Sequence, residues 1–153
     1  AGLSVPPGTG SVEYRLTPAG FAQFVDDYRA EFGDTVADEV RASDEHVYVV
    51  RQSGPGTTTT YLYDGGFRDF GGSSSRSSSA ETFDMSAIDL QRLAGLVAGA
   101  PTTARLPEGA VDQIRVDGKE HSVRISVKSS LDQHGHLEVS FDGTVLAVFP
   151  YRP

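Results

Sequence analysis

Three side chains in the C-terminal half have types and a spacing that could hold a metal ion. His134 and His136 flank a glycine, and Asp132 lies two residues before them. Residues i and i+2 of a strand project from the same face, so both imidazoles could approach one ion, with Asp132 or His121 as a third ligand. A hairpin turn also commonly contains solvated His, Asp and Gly. We expect the turn, and therefore neither a metal nor another cofactor; Asp132, His134 and His136 are the residues that a metal site would use.

Other catalytic motifs are missing from the sequence. The stretch GGSSSRSSS (residues 71–79) is glycine-rich, but a phosphate-binding loop needs a lysine directly after its last glycine, and the first lysine of the chain is Lys119. No G-x-S-x-G motif presents a nucleophilic serine. With no cysteine, the chain has no thiolate nucleophile and no disulfide. We predict no catalytic residue and expect that the protein is not an enzyme.

The composition restricts the possible partners. A chain of 153 residues with 38% hydrophobic and 22% charged residues is typical of one globular domain, or of two small ones that share a core. The net charge of -8 and the absence of a basic stripe argue against nucleic acid as a partner. No apolar run approaches the ~20 residues that cross a bilayer, so we expect no direct membrane insertion. Residues 1–13 are predicted to be a flexible lead-in that would suit an N-terminal tether.

The first helix has clear start and stop signals. Thr17 can cap it, and Pro18 suits its first position because the missing N–H is not needed there. Gly33 can adopt the left-handed conformation that ends a helix. Apolar residues between them recur at helical spacing: Phe21, Phe24, Val25, Tyr28 and Phe32.

A second helix is predicted in the other half. Ser86 and Asp89 match a capping box, with aspartate in place of the usual glutamate. Gly99, followed by Pro101, is predicted to end the helix. Its apolar stripe contains Ile88, Leu90, Leu93, Leu96 and Val97.

After each helix the hydrophobic period changes to two, which is typical of strands. The predicted strands are residues 36–42, 46–52, 58–63 and 67–70, then 111–116, 122–128, 136–141 and 144–149. Hairpin turns are predicted at three Asp-Gly pairs, which are Asp64-Gly65, Asp117-Gly118 and Asp142-Gly143.

The two halves match in the order of their elements. Glu39-Val40-Arg41 aligns with Gln113-Ile114-Arg115, and Tyr63-Asp64-Gly65 aligns with Phe141-Asp142-Gly143. We therefore predict an α+β fold of two tandem repeats, each a helix followed by an antiparallel meander of about four strands. The predicted segments are the lead-in at 1–13, a first repeat at 14–70, a solvated Gly/Ser-rich linker at 71–83 and a second repeat at 84–153.

A helix on one face of each meander would leave the opposite sheet face free to bind a partner. Aromatic side chains on the strands of the first half alternate between the two faces, and exposed tyrosines are frequent interface anchors. The predicted binding residues are Tyr48, Tyr61, Tyr63, Phe67 and Arg68. The sequence leaves open whether the tyrosines point into the core or towards a partner.

The helix-then-meander order, with Tyr63-Asp64-Gly65 and Phe141-Asp142-Gly143 before each last strand, resembles tandem PepSY-like and beta-lactamase-inhibitor-protein-like domains over about residues 14–150. The resemblance implies small modules outside the cytoplasm, secreted or membrane-anchored. We expect a non-enzymatic extracytoplasmic binding or sensory module whose sheet surface contacts a protein, peptide or envelope ligand. Two alternatives stay open, which are a protein inhibitor of an extracellular enzyme and a metal-dependent hydrolase.

Overall fold

A computed structural model of the chain describes residues 14–153, and the predicted lead-in at 1–13 lies outside the described residues. The fold of the described part is α+β, as predicted. Its elements are α1 (Pro18–Phe32), β1 (Val36–Ala37), β2 (Glu39–Ala42), β3 (Val47–Gly54), β4 (Thr57–Tyr63), β5 (Phe67–Ser75), β6 (Phe83–Asp84), α2 (Leu90–Thr103), β7 (Ala110–Asp117), β8 (Ser122–Lys128), β9 (His134–Val139) and β10 (Val145–Phe149).

Helix α1 begins and ends where the sequence predicts. The Thr17 hydroxyl accepts a hydrogen bond from the N–H of Gly20 at 2.9 Å, and Pro18 is the first helical residue. Gly33 has φ of 79° and donates its N–H to the carbonyl of Arg29, which closes the helix. The buried residues of the helix are Phe21, Phe24, Val25 and Tyr28. Local signals and the apolar stripe therefore agree on this helix.

Helix α2 begins later than predicted. The predicted cap, Ser86, lies in a 3₁₀ turn formed by Met85–Ala87. The cap is Asp89, whose carboxylate accepts the N–H of Arg92 at 3.0 Å. Asp84 caps the 3₁₀ turn by accepting the N–H of Ser86 at 2.9 Å. The predicted capping box is therefore wrong, because Ser86 belongs to a separate 3₁₀ turn that Asp84 caps.

Helix α2 also continues past its predicted stop at Gly99 and includes Pro101. A proline removes one backbone donor from a helix, and here the packing of the last turn offsets that loss. Ala100 and Ala104 are fully buried, and the N–H of Ala104 donates to the carbonyl of Ala100 at 2.8 Å. Tertiary contacts therefore extend the helix to Thr103 against the local signal.

Within residues 14–153, eight strands form one antiparallel sheet in the order β10-β9-β8-β7-β2-β3-β4-β5. Strands β2 and β7 pair at its centre, where Arg41 lies opposite Arg115 and Glu39 lies opposite Asp117. The predicted hairpin at Asp64-Gly65 joins β4 to β5. The outer strands of the sheet are β5 and β10.

The predicted strand 36–42 is divided into β1 and β2 at Asp38. Strand β1 leaves the main sheet to pair with β6, which the sequence did not predict. Asp38 is only 8% exposed, and its carboxylate accepts two hydrogen bonds from Arg76 at 3.0 and 2.9 Å. The chain therefore turns at a buried carboxylate that is paired with an arginine of the Gly/Ser-rich stretch.

Strand β5 extends to Ser75, beyond the predicted end at Phe70. Its last residues pair with the threonines of β4, so that Thr57 lies opposite Ser75 and Thr59 lies opposite Ser73. Gly71 and Gly72 have φ of 94° and 73°, where the register of the two strands shifts. The β-branched residues of β4 thus provide a long partner strand that keeps the first serines extended after the irregularity at the two glycines.

Both helices contribute to a single hydrophobic cluster against one face of the sheet. From α1, Phe24 and Tyr28 pack on the first half of the sheet, and Leu93 of α2 belongs to the same cluster. The sheet residues that contribute to this core are Val40, Ala42, Val47, Val49, Tyr63, Ile114, Val116, Val123, Ile125, Val127, Leu137 and Val139. One core therefore extends from Tyr63 of β4 to Leu137 and Val139 of β9, whereas β10 contributes no buried residue.

Candidate functional site

The helices cover one face of the sheet and leave the opposite face free of helices; at one end of that face, residues of the segment 75–81 line a cavity together with Glu39 and Val50. On β8, for example, Val123, Ile125 and Val127 are buried, whereas Arg124 and Ser126 between them are partly exposed. We call the helix-free side the open face. Its side chains include Glu39, Arg41, Tyr48, Val50, Leu62, Arg68, Phe70, Gln113, Arg115, Arg124, Ser126, His136 and Glu138.

The centre of the open face is a network of ion pairs. Arg41, Arg115 and Arg124 are direct neighbours across three strands, so their like charges need nearby carboxylates. Glu39 accepts hydrogen bonds from Arg41 at 2.7 Å and from Arg115 at 2.9 Å. The outer pair, Arg124 and Glu138, is joined at 3.1 Å. Arg115 also donates to Asp117 at 3.0 Å, so three carboxylates neutralise the three arginines within the sheet.

Glu39 is the most enclosed carboxylate of this network, with a side chain that is 19% exposed. Burial by itself would raise the pKa of Glu39, but the hydrogen bonds and charges of Arg41 and Arg115 outweigh it and hold the pKa below its usual value. Glu39 is therefore ionised at neutral pH, and it bridges β2 to β7.

One end of the open face has an aromatic patch formed by His46, Tyr48 and Phe70. The ring centroids of His46 and Tyr48 are 4.7 Å apart, and those of Tyr48 and Phe70 are 5.3 Å apart. Phe70 is 49% exposed. Leu62 lies opposite both Tyr48 and Arg68 and is buried on this side of the sheet. Two predicted binding residues, Tyr48 and Arg68, thus lie together on the open face.

The other three predicted binding residues lie on the core side of the sheet. Tyr63 is 2% exposed, and its hydroxyl donates to Asp27 of α1 at 2.5 Å. Phe67 packs against Tyr63, with ring centroids 4.7 Å apart. Tyr61 meets Phe32 at 4.9 Å. In this structure these rings fill the space beneath α1, and a partner on the open face does not meet them.

The turn before the two histidines lies earlier in the chain than predicted. His134 and His136 lie in β9, and the turn before it spans residues 129–133. His134 contacts Asp132 at 3.1 Å, whereas His136 stacks on Phe149 with centroids 4.5 Å apart. His121 packs on a phenylalanine at the far end of β8. Among residues 14–153, no group of three His, Asp or Glu side chains is placed to hold a metal ion.

Next to His136 the open face contains a cavity of about 470 Å³. Asp112, the extra residue of a β-bulge in β7, contributes to its wall. The remaining lining residues are Ser43, Gln113, Ser126, Val127, His134, Gly135 and His136. We call it the Asp112 cavity.

The Asp112 carboxylate is incompletely satisfied. Its Oδ1 atom is buried and has no hydrogen-bond partner among residues 14–153. Burial raises the pKa of Asp112; a hydrogen bond from its own backbone N–H and the nearby charges of His134 and Lys128 act in the opposite direction, and Asp44 adds to the increase. Burial lowers the pKa of His136, and Arg124 lowers it further. The cavity therefore combines a carboxylate oxygen that lacks a donor with an imidazole that favours its neutral form.

Sequence reasoning did not find Asp112. It grouped His134 and His136 with Asp132, and the structure joins Asp132 to His134 at 3.1 Å. The residue that shares their cavity comes from β7, and its orientation depends on a bulge. The Val111-Asp112-Gln113 stretch, where two polar residues interrupt the alternation, was the available signal.

Comparison of the chain with protein-family models, with curated proteins and with solved structures finds no match in any of the three. Among the described residues, no helix is both long and apolar enough to span a membrane.

Proposed function

We propose that the chain is a non-enzymatic extracytoplasmic binding module whose open face contacts a protein or peptide. The observation that carries this proposal is the position of both helices on one side of an eight-stranded sheet, which leaves the other side accessible within the described part of the chain. A partner can occupy that side without disturbing the core. The extracytoplasmic setting rests on the PepSY-like resemblance.

The aromatic patch is the part of the open face that best suits an anchor. Interface centres are enriched in tyrosine, phenylalanine and arginine, and their aromatic rings supply large contact areas with few rotatable bonds. Tyr48, Phe70 and Arg68 are such residues, and Phe70 is already about half exposed. By comparison, the central arginines are committed to carboxylates at 2.7 to 3.1 Å and have little binding capacity left.

We further propose that the two halves are copies of one helix-and-four-strand unit. Arg41 and Arg115 are equivalent in the alignment of the halves, and they lie opposite each other in the central strand pair. An axis through this pair would exchange β2 with β7 and would relate β3, β4 and β5 to β8, β9 and β10. The sheet order is compatible with that exchange.

A selection from a random peptide library on the purified protein tests the binding function. We expect enriched peptides whose affinity falls at least about tenfold with Tyr48→Ala, because anchor residues of this kind contribute about 2 kcal/mol or more. Arg68→Ala should also weaken the binding of these peptides. The matched control is Arg29→Ala on α1, since both arginines are exposed and each makes one surface ion pair, at 3.5 and 3.3 Å.

The function would be contradicted if no peptide were enriched, or if the enriched peptides bound both open-face variants as tightly as the Arg29→Ala control. Thermal unfolding of each variant separates lost binding from lost folding.

A further inference from the structure

We propose that the Asp112 cavity binds a cationic side chain, lysine or arginine, of the partner. That the cation belongs to a partner protein rests on the function proposed above. That the cavity can hold an organic cation rests only on the geometry of the cavity. That geometry comprises a buried carboxylate oxygen with no described donor, in a wall of hydroxyl, amide and imidazole groups.

The unsatisfied oxygen determines the chemistry of the ligand. The Asp112 side chain is only partly buried, but its Oδ1 atom is shielded from water and receives no hydrogen bond in exchange, which is costly. A cationic N–H donor supplies both the hydrogen bond and the opposite charge, and such charge-assisted bonds are the stronger class. The Ser126 hydroxyl and the Gln113 amide carbonyl offer further acceptors in the same wall.

The cations already near the cavity bond to other carboxylates. Lys128 contacts Asp132 at 3.4 Å, and His134 contacts the same oxygen at 3.1 Å. Arg124 contacts Glu138 at 3.1 Å. None of these cations is paired with Asp112, so a ligand that brings its own cation would meet the part of the Asp112 side chain that faces the cavity, while the Oδ1 atom stays enclosed.

The cavity and the aromatic patch adjoin the same turn, between β2 and β3. Ser43 lines the cavity, and its N–H and hydroxyl donate to the carbonyl of His46 at 2.9 and 3.1 Å. The His46 ring in turn contacts Tyr48 in the patch. An extended peptide across the β2–β3 turn could therefore place an apolar residue on the patch and a cationic one in the cavity. The net charge of -8 favours the approach of such a peptide.

The test is an NMR titration of the protein with Nα-acetyl-lysine methylamide and, separately, Nα-acetyl-arginine methylamide. The neutral control is the same lysine probe acetylated on its side-chain nitrogen. We expect saturable shifts of the Asp112, Gln113 and His136 signals with at least one cationic probe, and at least about tenfold weaker binding of the neutral one. The arm that binds more tightly identifies the side chain as lysine or arginine.

Asp112→Asn should weaken the binding of the cationic probe at least about tenfold, because the substitution removes the charge of the side chain and keeps its shape. Asp26→Asn on α1 is the matched control for the loss of one negative charge, and it should leave the binding unchanged. The Asp112→Asn protein should stay folded, since Asn needs no counter-charge when buried, and its amide spectrum checks this. Absence of shifts in the cavity, equal binding of the neutral probe, or unchanged binding by Asp112→Asn would each overturn the inference.

The two proposals can fail independently. If neither cationic probe binds but library peptides still depend on Tyr48 and Arg68, the cavity inference fails and the open-face function stands. If a probe binds in the cavity while substitution of Tyr48 or Arg68 leaves the affinity of the library peptides unchanged, the proposed function is refuted and the cation site stands.

Discussion

Glu39 should hold the two halves of the sheet together, and Glu39→Gln tests this. The substitution keeps the shape of the side chain and removes its charge. It removes the carboxylate that lies between Arg41 and Arg115, which face each other across β2 and β7, although Arg115 keeps its second carboxylate partner, Asp117, at 3.0 Å. We expect a folded but less stable protein, because a like-charge pair then lies at the central strand junction.

The size of the effect follows from the two hydrogen bonds. A bond to a charged group contributes roughly 1.5–3 kcal/mol when it is well buried, and an exposed ion pair contributes about 0–1 kcal/mol. Arg41 is 55% exposed and falls in the second class, whereas Arg115 is 34% exposed and lies between the two. Because glutamine can still accept one hydrogen bond, we expect a loss of about 1–2 kcal/mol in the free energy of unfolding. For a chain of this length that corresponds to a decrease in Tm of roughly 2–8 °C.

The pH dependence provides a second readout. The pKa of Glu39 is lower in the folded protein than the ordinary value of 4.5. Its contribution to stability is therefore complete above that value and is lost as the pH falls through the lower pKa of the folded state. Urea unfolding of both proteins should show the full difference at pH 7 and a shrinking difference in the acid range.

The control for this experiment is Glu31→Gln on the exposed surface of α1, which removes the same charge away from the sheet. It should change the free energy of unfolding by less than about 0.5 kcal/mol. The reasoning would be refuted if Glu39→Gln were no more destabilising than this control, or if its effect did not diminish in acid.

Three further substitutions test the packing and the caps. Asp89→Ala should cost about 1 kcal/mol in thermal or urea unfolding by removing the cap of α2, whereas Ser86→Ala should have little effect; the opposite order would restore the capping box. Gly135→Ala should destabilise by roughly 1–3 kcal/mol, because its Cβ would lie 3.0 Å from the Ala104 Cβ and 3.1 Å from two carbonyl oxygens, and an unchanged Tm would contradict that contact. Tyr63→Phe should lower the free energy of urea unfolding by about 1 kcal/mol through loss of the bond to Asp27, and Tyr48→Phe serves as its open-face comparison.

The features predicted correctly from the sequence are those that neighbouring residues determine. Thr17 and Pro18 act at the first turn of α1 and Gly33 acts at its last, and the structure confirms all three. The Asp64-Gly65 turn is equally local, since a hairpin needs only a residue pair that tolerates its backbone angles. Such predictions succeed because no distant contact has to be known.

The features that were wrong or missed depend on distant residues. Helix α2 passes Pro101 because Ala100 and Ala104 are buried against the rest of the fold, and the local signals contain no information about that burial. The end of β5 depends on the threonines of β4, and the Asp112 cavity depends on a register shift between β7 and β8. A period-two pattern predicts that a strand exists, but it does not show where one extra residue will redirect a side chain.

The charged centre of the open face does not argue against binding, because a wide exposed sheet needs charged residues to prevent aggregation. An apolar face of eight strands would promote non-specific association, and natural sheets avoid this with charged residues and irregular edges. Here Glu39, Arg115 and Glu138 take part in ion pairs that leave the centre polar yet internally neutralised. Groups with unsatisfied binding capacity then remain beside the centre, in the aromatic patch and the Asp112 cavity. A partner would gain specificity by matching an apolar anchor and a cation at a fixed separation, while the central network excludes ligands that offer only apolar surface.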